Sequence, residues 1–213
     1  MENINNVFLS GKIKQIYVTP KGEVKLKIMI ARSHIIDGKR TVKRDKDDNV
    51  IRNIITVRFF DELAKKVSKN YKAGDYVNIT AIVQTVRNHY SCTSAIEIWG
   101  MSIHSKSRSK INSAQDINSV EVQGKVAGIY ETKYDTKILT IYTSIERSVL
   151  TPSLNPMNKT FASYTAITVP ASFECDTGNY VNVKGAIRDP QNGKKRYIVA
   201  YKVTKVDPNE RAM

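Results

Sequence analysis

The chain has 213 residues, 41% hydrophobic and 25% charged, enough apolar material for a packed core and too much for wholesale disorder. It holds no run of about 18 apolar residues and no basic-then-apolar opening, so neither a membrane-spanning helix nor a signal peptide is expected. Lys and Arg number 34 against 20 Asp and Glu; the resulting net charge of +14 suits a polyanionic partner.

In chain order, the first signal is alternation. Val7, Leu9, Gly11 and Ile13 alternate with Phe8, Ser10, Lys12 and Lys14, and Leu26, Ile28 and Ile30 alternate with Lys25, Lys27 and Met29. Each pattern predicts a strand with one buried and one open face. From Arg32 to Arg52 the alternation gives way to cations: Arg32, Lys39, Arg40, Lys43, Arg44, Lys46 and Arg52. Asp37-Gly38 and Asp47-Asp48-Asn49 supply turn chemistry there, which predicts a hairpin finger. Ile55, Val57 and Phe59 then oppose Thr56, Arg58 and Phe60 in a third strand, and Phe60 to Val67 carries apolar residues at the spacing of a short helix. Val77, Ile79, Ala81 and Val83 form a fourth strand, its other face carrying Tyr76, Asn78, Thr80 and Ile82. A loop with Arg87, His89 and Tyr90 comes next, then a last strand with Trp99, the only tryptophan. Residues 105–119, polar and basic with Lys106, Arg108 and Lys110, read as a linker.

The second half of the chain repeats the first. Gly11-Lys12-Ile13 through Tyr17 is echoed by Gly124-Lys125-Val126 through Tyr130, and Leu26 and Ile28 by Leu139 and Ile141. Ile55-Thr56-Val57 is matched to Ile167-Thr168-Val169, and Gly74-Asp75-Tyr76-Val77 to Gly178-Asn179-Tyr180-Val181. Four blocks in one order imply two copies of one fold. Where the first copy has its helix, the second has the shorter Pro170-Ala171-Ser172-Phe173-Glu174-Cys175-Asp176-Thr177, a loop. The expected fold is mainly β: two tandem five-stranded OB-fold barrels, residues 1–104 and 120–213, the first with a short helix between strands 3 and 4. Gly11 and Gly124 would let each first strand bend around a barrel corner. The net charge divides as +8 for 1–104, +2 for 105–119 and +4 for 120–213.

The basic residues lie between strands and not along an amphipathic helix, which favours nucleic acid over a membrane surface. Two cysteines, Cys92 and Cys175, and three histidines supply neither a disulfide framework nor a zinc set. No metal or cofactor is expected, and reduced thiols fit a cytoplasm, or a host-cell cytoplasm for a viral protein. No phosphate loop, His-Glu-x-x-His or Cys-x-x-Cys occurs, so an enzyme is not expected.

The first copy resembles bacterial and phage single-stranded DNA-binding proteins of the OB-fold kind. The carrying residues, in order, are Val7-Phe8-Leu9-Ser10-Gly11-Lys12-Ile13, Thr19-Pro20-Lys21-Gly22-Glu23-Val24, Val57-Arg58-Phe59-Phe60-Asp61-Glu62-Leu63-Ala64, Tyr71-Lys72-Ala73-Gly74-Asp75-Tyr76-Val77 and Val83-Gln84-Thr85. The resemblance implies a protein that coats single-stranded DNA in replication, recombination or repair, and commonly an assembly of four barrels, which a homodimer of this chain would match. It departs from the family in ending at Met213 with neither a long tail nor an acidic tip, so partner recruitment by that route is not expected. Replication partners are not identifiable, and a tandem tail-less form suits a viral or mobile-element version.

Coating single strands without sequence preference needs cations along the phosphates and aromatic faces for the bases. The candidate cations are Lys12, the finger set Arg32, Lys39, Arg40, Lys43, Arg44 and Arg52, then Arg58, Arg87, Lys106 and Arg108. In the second copy they are Arg188, Lys194, Lys195 and Arg196, on a hairpin turned at Asn192-Gly193. The candidate stacking aromatics are Phe60 and Tyr90, which the resemblance places at stacking positions, together with Trp99, Tyr134 and Tyr197; Tyr201 is the apparent repeat partner of Trp99. Phe60 packing on its own helix, and Trp99 packing in a core, are the structural alternatives. A single-stranded RNA-binding protein has the same groove and charge, and the less basic second copy could instead dock protein.

Overall fold

The computed structural model describes residues 2–36, 39–88, 93–106, 116–150, 156–188 and 196–207. Its strands are β1 (Ile4–Val18), β2 (Val24–Ala31), β3 (Ser33–Ile36), β4 (Lys39–Val42), β5 (Arg52–Phe59), β6 (Tyr76–Asn88) and β7 (Thr93–Ser105) in the first half. The second half holds β8 (Ile117–Glu131), β9 (Thr136–Leu150), β10 (Pro156–Pro170), β11 (Tyr180–Arg188) and β12 (Tyr197–Lys205). The one helix among the described residues, α1 (Asp61–Asn70), lies between β5 and β6 as expected.

Ten strands hydrogen-bond into one sheet, in which two circuits close on themselves. In the first, β1 pairs with β2, β2 with β5, β5 with β7 in parallel, β7 with β6, and β6 returns to β1. In the second, β8, β9, β10, β12 and β11 repeat that circuit, again with one parallel step. The seam between them is an antiparallel β1–β8 pair in which Val7 sits opposite Val120. The finger stands outside the sheet as the β3–β4 hairpin, with an isolated Arg44–Val50 bridge beyond it around the Asp47-Asp48 turn.

Alternation places the core. Val24, Leu26, Ile28 and Ile30 of β2 point inward while Lys25 and Lys27 are exposed, and Ile55, Val57 and Phe59 do the same on β5. These side chains and their second-half counterparts Leu139, Ile141, Ile167 and Ile198 belong to one continuous buried cluster, each fully buried side chain contributing about 1.5–3 kcal/mol. In α1 the residues Ala64 and Val67 face that core, Asp61 and Glu62 lie in the first turn and Lys69 in the last, favourable for the helix dipole. The helix ends at Tyr71, whose backbone is extended and whose hydroxyl donates to the Ile103 carbonyl at 3.1 Å.

Glycine marks the repeat physically. A Cβ on Gly11 would lie 2.2 Å from the Met29 carbonyl oxygen, and one on Gly124 would lie 2.1 Å from that of Tyr142. Bulges occur just beyond, at matching places, between Ile13 and Gln15 and between Val126 and Gly128. The strand therefore crosses its neighbour closely and turns there, as the position of both glycines predicts.

Three expectations are corrected. First, β10 matches β5 two residues earlier than the sequence blocks suggest. Val57 lies opposite Leu26 and beside Ile98, and Ile167 lies opposite Leu139 and beside Ile198, so Val57 corresponds to Ile167 and not to Val169. A slip of two keeps every side chain on its own face, so hydrophobic alternation does not detect it. Second, the partner of Trp99 is consequently Val199, and Tyr201 matches Met101. Third, β8 begins at Ile117, inside the stretch expected to be linker. The heart of that stretch, 107–115, lies outside the described residues.

Candidate functional site

The outward faces of the two circuits differ in chemistry. On the first, Lys25 and Lys27 of β2 are exposed beside Thr56 and Arg58 of β5. At the corresponding positions of the second circuit stand Ile138 and Thr140, Ala166 and Thr168, and next to them Tyr142 opposite Tyr164, with ring centres 5.0 Å apart. Tyr164 is 56% exposed, and Tyr197 and Tyr201 on β12 are likewise open. Tyr142 and Tyr164 are missing from the sequence candidates. Alternation could not find them, because their neighbours Thr143, Ser163 and Thr165 are polar residues that the fold buries, and the positions they match in the first copy, Met29 and Ile54, gave no reason to look there.

Arg58 is held, not free. Its guanidinium pairs with Glu23 at 2.6 Å and with Glu97 at 2.5 Å, all three side chains being largely covered. Burial lowers its pKa, but the hydrogen bonds and charges of Glu23 and Glu97 outweigh that and raise it. Two carboxylates on one guanidinium leave no positive charge to offer a phosphate. The group instead lies 5.2 Å from the Phe60 ring centre, and Glu97 accepts from the Trp99 indole N–H at 3.0 Å. Arg58 thus organises aromatic side chains.

Those aromatics are at the contact between the halves. Phe60 and Trp99 meet edge to face at 4.9 Å, and Trp99 meets Phe161 of β10 at 6.3 Å. Ile82, expected on an open strand face, is buried under Ile145 and Phe161. A pocket of about 300 Å³ remains among Phe60, Leu63, Trp99, Met101, Lys159 and Phe161. The packing alternative therefore describes Trp99, which is partly buried between two rings, and Phe60 lines the same recess from the first residue before α1.

Beside Arg58 and Glu97 the junction of the halves continues as an open groove. Arg196 crosses it, its guanidinium donating to the Thr56 carbonyl at 3.2 Å. It lines one groove with Lys25 and Arg58 and a second with Tyr164, Thr140 and Tyr197, so cationic and aromatic faces meet at this residue. Arg188 lies opposite Tyr197 across the β11–β12 pair. With Arg32 it lines a third recess of about 750 Å³. Burial first, and then the Arg32 charge, lower the Arg188 pKa.

The remaining candidates scatter. Lys12 and Lys43 are exposed. Arg44 donates to the Asp48 carbonyl and carboxylate, and Arg52 to the Val50 carbonyl, so both also hold the finger's base. The Lys106 ammonium donates to Ser10 on β1. Tyr134, 70% exposed, caps the β8–β9 turn with the Lys133 ammonium 5.3 Å from its ring centre. For Lys39, Arg40 and Arg87 only the backbone is described, in β4 and β6, and Tyr90, Arg108, Lys194 and Lys195 lie outside the described residues. Among the described residues no helix is long and apolar enough to cross a membrane.

The fold so described is similar to that of solved structures. The chain is similar over 100% of its length to the wild-type single-stranded DNA-binding protein of Thermus aquaticus, covering 98% of that chain with a TM-score of 0.62 at 12% identity. A deletion mutant of the same Thermus protein gives 0.62 at 13% identity, with 99% of both chains covered. The small single-stranded DNA-binding protein of Streptomyces coelicolor matches 50% of this chain and 96% of its own, at 15% identity and a TM-score of 0.34. No family model and no curated protein matches the sequence. The chain thus has the fold of the Thermus protein along its whole length.

Proposed function

We propose that this chain binds single-stranded DNA without sequence preference, as two OB barrels acting together, and that it protects transient single strands in replication, recombination or repair. The observation that carries this reading is the meeting of a cationic face with a tyrosine face at Arg196. Phosphates need the first and unpaired bases the second, and tyrosine rings accept any base. Supporting it, the barrel reading rests on the two closed circuits, and the Thermus protein with the same fold is by its own name a single-stranded DNA-binding protein. We assign residues 2–106 and 116–207 to the two barrels, shifting the start of the second to include the first residues of β8.

The binding surface in this reading runs from Lys25 and Lys27 over Arg196 to Tyr164, Tyr142 and Tyr197. Arg58, Phe60 and Trp99 shape the support beneath. Nothing is turned over: affinity comes from released counterions and from stacking, so it weakens as salt rises.

Fluorescence anisotropy with a labelled mixed-sequence strand, at several salt concentrations, tests this. Tight, salt-sensitive binding that equal lengths of duplex fail to compete is the expected result. Equal competition by duplex would reduce the charge to general stickiness and sink the proposal, and stronger competition by RNA would reassign the substrate.

A further inference from the structure

The two halves are related by a pseudo-two-fold axis, because Val7 pairs with its own repeat counterpart Val120 across the antiparallel seam. Every contact between the halves therefore has a mate, and the mates can be compared. Within the first half Asn5 uses its amide to bridge the Val83 N–H and carbonyl at 2.8 Å each, and within the second Asn118, its counterpart, does the same to Ile187 at 3.0 and 2.8 Å, so both halves reach the junction with the same local structure. So far the symmetry holds.

One strand position further it fails. On one side Gln84 donates to the Ala162 carbonyl at 2.9 Å, and Thr85 bonds Ser163 and the Tyr164 carbonyl, closing the two halves against each other. On the other side the counterpart of Gln84 is Arg188, and where the matching contact would close there is the recess of about 750 Å³. Arg188 and Arg32 both line it, with Ser33, Asn118, Ser119 and Tyr201. Arg32 donates through Nε to Asn53 at 2.8 Å, and among the described residues neither arginine pairs with a carboxylate within salt-bridge distance. Two like charges that share a half-covered recess oppose folding unless an anion joins them. The symmetric alternative, a neutral glutamine contact, is present in the same molecule.

We infer that the recess between the halves, lined by Arg32 and Arg188, is a seat for a phosphate of the bound single strand. Tyr197 lies opposite Arg188 and Tyr201 lines the recess, so aromatic rings adjoin that phosphate, and the hydroxyl of Ser119 is a further donor. This inference rests on the strand-binding reading above and adds to it a point where the strand passes from one barrel to the other.

The test uses Arg188→Gln, which restores the residue type found on the closed side, and Arg32→Gln as an independent second variant. Both are titrated with a thymidine oligonucleotide over a range of salt and melted with and without inorganic phosphate. Each variant is expected to bind the oligonucleotide about tenfold more weakly. Each should also have its log–log salt slope reduced by about 1. Arg188→Gln should melt at or above the wild-type temperature in phosphate-free, low-salt buffer, because a repulsion has been removed. Wild-type affinity and slope in both variants would overturn the seat while leaving strand binding intact; failure of the wild-type protein to bind any strand would instead overturn the reading it rests on. Stabilisation by phosphate that both variants lose, with oligonucleotide affinity unchanged, would assign the recess to a free phosphate and overturn the strand crossing.

Discussion

The two halves of this chain share a backbone and divide the surface chemistry. Each is a five-strand circuit with a glycine close approach, a bulge and a parallel step at equivalent places. On the outer face the first half presents Lys25 and Lys27 where the second presents Ile138 and Thr140, and the second presents Tyr142 and Tyr164 where the first has Met29 and Ile54. The first keeps a helix, which the described residues of the second lack, and where its finger stands apart as β3–β4 the second extends β9 and β10 into one continuous hairpin. The comparison separates what the fold requires, repeated in both, from what binding requires, distributed between them.

The strongest challenge to that separation is a substitution at the repeated glycines. Gly11→Ala and Gly124→Ala each drive a methyl group into a backbone carbonyl that has no free direction to move, at a cost of about 3 kcal/mol. In a chain of this size that lowers the melting temperature by roughly 6–12 °C, measurable by circular dichroism. Equal losses at the two sites mean that the repeat is structural; a harmless Gly124→Ala would break the equivalence. A smaller effect is expected at one matched pair on the outer face. Tyr164→Ala should weaken oligonucleotide binding about tenfold, the loss of one stacked base, whereas Ile54→Ala at the corresponding position should change it less than twofold. Comparable losses at both would show that the aromatic face is not confined to the second half. The finest distinction is in salt dependence: Lys27→Ala should reduce the slope of log affinity against log salt by about 1, and Tyr164→Ala should leave the slope unchanged. A changed slope in the tyrosine variant would indicate that it displaces a phosphate contact as well.

Much of the fold was legible because period-two alternation and turn residues act locally. Val24 to Ala31, the helix after Phe60 and the hairpins around the finger are all set by neighbours in sequence. The register of β10 was not legible, since shifting Ile167 against Val57 by two residues leaves the same side chains buried. The site suffered from the same cause at longer range. A lone arginine on a strand face looks like a phosphate contact, and only the fold brings Glu23 from the β1–β2 turn and Glu97 from β7 to Arg58. Likewise the sequence left Phe60 and Trp99 between stacking and packing, and only the fold brings Phe161 of the other half against the Trp99 ring. Arg188 and Arg196 were identified as cations, but their partners, Arg32 and Thr56, lie more than a hundred residues away.

The Val7–Val120 pairing has one more consequence. Two free copies of a single unit, joined through the same strand, would dissociate on dilution, because their pairing would be a bimolecular equilibrium. Here both strands of the seam are covalently connected, so the encounter is intramolecular and its strength does not depend on protein concentration. A self-paired dimer must also carry every mutation twice, once on each side of its axis. The connected form carries each mutation once, and a change such as glutamine on one side and arginine on the other can arise without its mirror image.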